Sequence, residues 1–175
     1  YHTGDGGNLN TIYGYQAGIA LASGGNNNTL IGNIAGTALV TGGDNVAIGY
    51  QALRRATGDG STAADENVAI GGESLLLNTT GNSNVASGHR SLYQNTTGNN
   101  NVAAGQYSLL FNTTGSNNVA FGYYSLSYNS TGDDNLAFGY QSGKFIADGF
   151  TQNTAGSNSI FLGKDTRANA NAETN

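Results

Sequence analysis

The chain contains no cysteine, proline, methionine or tryptophan, and of its 175 residues only six are Lys or Arg and two are His. Each shortage narrows the function classes. Without cysteine the fold requires no disulfide framework, and no Cys/His set with zinc-ligand spacing can be written. The net charge of −5, with Arg54 and Arg55 as the one tight basic pair, counts against nucleic acid and against an anionic membrane; both need clustered cations. No apolar run is long enough to span a bilayer, so no membrane insertion is expected of this segment. Hydrophobic residues are 37% of the chain, but many are alanine. Ordering each residue costs about 1 to 2 kcal/mol of conformational entropy, so a narrow, alanine-rich core needs support from hydrogen-bond ladders or from a partner.

What is present is a repeat. Asn10, Asn28, Asn45, Asn67, Asn84, Asn101, Asn118 and Asn135 each stand four residues before a glycine, and Ser159 takes the ninth place. From Gly71 to Gly139 the spacing is an unbroken seventeen residues. Such units are single rungs, stable only when stacked. One of them, NNVAFGYYSLSYNSTGD from Asn117, reads as two extended stretches joined by turns. In the first stretch, Val46, Val68, Val85, Val102, Val119 and Leu136 share one strand face with Ile48, Ile70, Phe121 and Phe138. Alanines such as Ala69 share the other face with the Asn column. A strand apolar on both faces is a strand covered on both sides. A single roll has only one inside, so identical chains are expected to pack along the Val face, most simply around a cyclic axis.

The second stretch carries a small-residue column (Ser74, Ser91, Ser108, Ser125) and, one residue on, a leucine column (Leu53, Leu75, Leu92, Leu109, Leu126). It closes on NTTG or NSTG turns, where Asn and Gly accept positive φ. Nothing recurs at helical spacing. The expected fold is all-β: a parallel β-roll or β-solenoid of about nine rungs, each climbing about 4.8 Å, giving a rod about 40 Å long. Residues 1–156 form the repeat domain, with insertions near 58–66 and 144–156, and 157–175 hold the last rung and the start of a further, truncated repeat. The segment is thus expected to continue in a longer chain.

The stretches NVAIGYQAL (Asn45 to Leu53), NVAIGGESL (Asn67 to Leu75) and NNVAFGYYSL (Asn117 to Leu126) resemble the head repeats of YadA-like trimeric autotransporter adhesins. They are equally similar to repeats of phage tail fibres and large bacterial surface proteins. The resemblance implies a left-handed β-roll assembled as a homotrimer, in an extracellular fibre on a bacterial surface or virion tail that attaches to a host or cell-surface receptor. The repeat here is longer than is usual in YadA-like heads, and Thr11 and Thr29 replace valine in the first two rungs.

Candidate functional residues are few. His2 stands near the chain start, and His89 replaces Tyr or Gln at a rung position expected to be exposed. Asp65/Glu66 and Asp133/Asp134 are adjacent acids in turns, where solvation explains them. Calcium at Asp133, Asp134 or Asp59 lacks the motif of known calcium loops. No recurring acid pair faces a groove, so no enzymatic activity, no cofactor and no metal are expected. The binding candidates are aromatic: Tyr107, Tyr123, Tyr124, Tyr128, Tyr140, Phe145 and Phe150 recur just after the rung glycine or a few positions later. Exposed, they suit the apolar faces of sugars or protein epitopes; stacked, they form a ladder or fill the seam between chains. The second insertion adds Ile146 to this apolar set. Two other functions fit the same repeat: a hydroxyl array of Thr79/Thr80, Thr96/Thr97, Thr113/Thr114 and Ser130/Thr131 like that of ice-binding solenoids, and a pure spacer shaft.

Overall fold

The computed structural model describes residues 9–21, 24–55, 64–145 and 152–167. His2, Asp59, Ile146, Phe150 and the chain end beyond residue 167 lie outside them. Among the described residues are nine three-residue strands and no helix: β1 (Thr11–Tyr13), β2 (Thr29–Ile31), β3 (Val46–Ile48), β4 (Val68–Ile70), β5 (Val85–Ser87), β6 (Val102–Ala104), β7 (Val119–Phe121), β8 (Leu136–Phe138) and β9 (Ile160–Leu162). They form one parallel sheet in strict chain order. The register sets Val68 on Val85 and Ala69 on Ala86, so each sequence column becomes a physical column. The fold is a parallel β-solenoid.

Each strand ends at the rung glycine for two reasons. Gly88 has φ +136°, in the region that favours glycine, and a side chain there would lie 2.7 Å from the carbonyl carbon of Gly105 on the next coil. The stacked backbones approach too closely for a Cβ.

The stretch after the glycine differs from expectation. It is a run of turns and not a second strand. Glu73 and Leu75 have φ +58° and +49°, and the same alternation recurs at Arg90/Leu92, Tyr107/Leu109 and Tyr124/Leu126. The physical reason is visible in the columns themselves. Adjacent residues of a strand point to opposite faces, yet Ser74 and Leu75 are both fully buried. Positive φ at alternate residues coils the backbone so that both enter the interior. The strain of a left-handed leucine, of order 1 to 3 kcal/mol, is tolerated because Leu75 N–H is held by Ser91 O and Leu77 N–H by Tyr93 O on the next coil.

The interior is a stack of alanines on the strand side facing leucines on the turn side: Ala69 with Leu75, Ala86 with Leu92, Ala103 with Leu109. At the first rungs the sizes are exchanged. Leu30 replaces the alanine, and Gly18 and Gly36 stand where leucine would be; a Cβ on either glycine would meet a Leu30 methyl at 2.8 Å. At the far end Phe161 takes the alanine place, and Gly143 makes room for its ring. Interior volume is conserved while its contributors change, as close packing demands.

Three polar ladders run beside this core. In the first, the expected Asn column, each Asn Oδ1 up to Asn118 accepts from both the backbone N–H and the side-chain amide of the Asn on the following coil, as Asn67 does from Asn84 at 3.0 and 3.2 Å, and Asn135 Oδ1 accepts from Ser159 N–H. Asn45, Asn67, Asn84, Asn101, Asn118 and Asn135 are essentially fully buried. The second is formed by the turn asparagines Asn78, Asn95, Asn112 and Asn129, also fully buried, with Asn95 donating to Asn78 Oδ1 at 2.8 Å. The third lies two residues before the first: Asn82 Oδ1 accepts from Asp65 N–H, Asn99 Oδ1 from Asn82 N–H, and Asp133 Oδ1 from Ser116 N–H. Asp65 and Asp133, read as merely solvated, are backbone caps between coils. The sequence reading missed the second and third ladders because Asn, Ser and Asp in turns already had a local explanation.

The insertions are narrower than their outlines. Ala64 O accepts from Asn45 Nδ2 at 2.9 Å, so residues 64–66 belong to the regular rung. Likewise Asn153 to Gly156 form a regular turn, with Gly156 O receiving Asn135 Nδ2, and Phe145 bridges to Gln152 across the base of the extra residues.

Candidate functional site

The outer face of the sheet carries the Val column and its neighbours two residues on. Ile70, Phe121 and Phe138 are exposed at 42%, 38% and 42%, and Val46, Val68, Val102, Val119 and Leu136 are half-buried while Val85 is exposed. Phe121 and Phe138 stack nearly parallel with centroids 4.8 Å apart. Ile160 and Leu162 extend the same face at β9. This is an apolar stripe along one side of the solenoid, interrupted at β5 by Ser87, and built by the pleat of the strands from the columns the sequence placed there.

The expected binding aromatics fall into two groups on the turn side. Tyr123 and Tyr124 meet edge to face at 4.6 Å, Tyr107 packs on Tyr124 at 4.8 Å, and Tyr140 stacks on Tyr123 at 5.4 Å. His89 is exposed and touches this cluster edge-on through Tyr107. The second group is Phe111, stacked on Tyr128 at 5.2 Å, and Phe145, tilted against Tyr128 at 6.1 Å. Lys144 joins the two groups: its Nζ lies 4.4 Å from the Tyr124 ring centre, 4.9 Å from Phe145 and 5.7 Å from Tyr128. Burial among these rings lowers the Lys144 ammonium below the ordinary lysine range, partly countered by the charge of Asp165. Burial, and then the neighbouring phenols Tyr123 and Tyr107, raise the Tyr124 hydroxyl. Phe150 lies outside the described residues.

Thr79, Thr96 and Thr113 direct their hydroxyls to backbone carbonyls of the next coil, at 2.8 to 3.0 Å. Sequence reading did not find Lys144, because the spacing of a lone lysine carries no signal until the coils bring three rings around it. Among the described residues no group of three or more His, Cys, Asp or Glu could hold a metal ion, and no helix is long and apolar enough to cross a membrane. The chain matches no protein-family model, no curated protein and no solved structure.

Proposed function

We propose that this chain is a non-catalytic structural and adhesive segment of a trimeric fibre on a bacterial surface or virion tail. Three copies pack along the outer faces of their sheets, and the aromatic rows are carried outward to a cell-surface receptor, a glycan or a protein. The observation behind this reading is the apolar stripe of Val, Ile and Phe on the outer side of a parallel sheet. Parallel sheets are ordinarily covered on both faces, and an aligned apolar strip of this kind marks an interaction surface. A cyclic axis running along the solenoid would set each rung against its equivalent in the neighbouring chains, placing Val102 and Val119 in the seam. The resemblance of the repeats to YadA-like heads supports left-handed coiling and a count of three.

Light scattering during size-exclusion chromatography tests the assembly. A mass three times that of the chain supports the reading, and a monodisperse monomer overturns it. Attachment is tested by glycan-array and cell-binding screens of the wild-type chain against a Tyr123→Ser/Tyr140→Ser variant, with equal retention of both removing the rows from the binding site.

A further inference from the structure

A cleft of about 500 Å³ opens on the turn side between Arg54, Arg55, Leu76, Leu77 and Tyr93, the last standing one coil before Tyr107 of the tyrosine cluster. Its walls are consecutive coils: Ala38 N–H bonds Arg54 O, Arg55 N–H bonds Leu76 O, and Leu77 N–H bonds Tyr93 O. Three of the four arginines of an acidic chain converge on this neighbourhood. One is already committed: Arg90 pairs with Glu73 at 2.7 Å and lies over the Tyr93 ring at 5.5 Å. Arg54 and Arg55 are exposed, and among the described residues neither has a carboxylate within ion-pair distance.

We infer that this cleft binds an acidic saccharide, its carboxylate or sulfate ester held by Arg54 and Arg55 and a sugar face laid on Tyr93 and Leu77. The guanidinium fork matches the paired oxygens of carboxylate and sulfate, while tyrosine offers an apolar body with a polar tip. Nucleic acid would need a longer cationic track than two adjacent guanidiniums on a chain of net charge −5. A polymer with spaced charges and apolar ring faces fits both features of the cleft. The site is formed within one chain, so it stands whether or not the chain assembles.

Calorimetric titration distinguishes the outcomes, using a chondroitin sulfate hexasaccharide, a hexauronate carrying carboxylates only, and neutral cellohexaose. The acidic hexasaccharides should bind, cellohexaose should not, and Arg54→Gln/Arg55→Gln should weaken binding at least tenfold while Tyr123→Ser/Tyr140→Ser leaves it unchanged. Binding of both acidic probes identifies carboxylate as sufficient; binding of the sulfated probe alone identifies the sulfate ester. Binding that survives the arginine double variant, equal binding of cellohexaose, or no binding of either acidic probe overturns the proposal. Both arginines are exposed, so an unchanged circular dichroism spectrum separates a lost site from a lost fold.

Discussion

Asn101 and Asn112 donate to the same acceptor, the carbonyl oxygen of Gly115, each at 2.8 Å. One asparagine precedes a strand and the other opens a turn, and the shared carbonyl ties both sides of the coil together. The same three-way joint recurs at Asn84, Asn95 and Gly98 and at Asn118, Asn129 and Gly132. Buried amides thus join the two ladders into a polar spine next to a core of small side chains.

Asn112→Leu should therefore destabilise the chain more than its size suggests. The substitution removes the second donor to Gly115 O, leaves Asn95 Oδ1 without its amide donor and takes from Asn129 Nδ2 its acceptor on the neighbouring coil, at about 1 to 3 kcal/mol per buried group left unpaired. Thr97→Ala, at an exposed position outside the left-handed region, should stay within about 0.5 kcal/mol of wild type. Urea unfolding of both variants checks the contrast, and equal midpoints would remove the spine from the stability argument.

Gly88→Ala combines unfavourable φ with a clash against backbone, which unlike a flexible side chain cannot turn aside. Strain alone is of order 1 to 3 kcal/mol, and separating the coils should add to it. The expected result is early loss of hydrogen-exchange protection at β5 and β6, with β8 retained longer; uniform loss along the solenoid would show that the coils unfold as one unit.

Val119→Asp and Phe121→Asp place a carboxylate on the outer stripe, where neither residue contributes to the buried interior. Each should abolish assembly, seen as monomer mass by light scattering, while far-ultraviolet circular dichroism stays unchanged. Wild-type mass in both variants would place the seam elsewhere.

Lys144 provides a test by pH. Desolvation lowers its ammonium, so folding disfavours the charged form; stability from this group should rise as pH climbs through the depressed pKa toward the ordinary lysine value of 10.5. The three ring contacts act oppositely, each worth about 0.5 to 1 kcal/mol for an exposed cation. An NMR titration of the Lys144 side chain should find a midpoint below the ordinary value, and a midpoint at or above it would mean that the rings outweigh burial.

The strand columns were legible because a parallel stack in constant register maps each sequence period onto one physical line: Val68 over Val85, Asn67 over Asn84. The turn stretch was not legible as turns, because Leu75 has no local mark of positive φ and adopts it only under hydrogen bonds from neighbouring coils. The exchange of Leu30 with Gly18 and Gly36 is written in the sequence, but it becomes meaningful only once these residues are known to face each other across the interior.

By itself the sequence determined the repeat, the parallel order of the strands, the buried asparagine column and the apolar character of the outer Val face, since all follow from period and side-chain alternation. Only the tertiary structure decided the second and third polar ladders, the placement of Lys144 among Tyr124, Tyr128 and Phe145, and the cleft beside Arg54 and Arg55. These join residues from different coils, and their meeting depends on how the turns coil the backbone, which alternation along the chain does not encode.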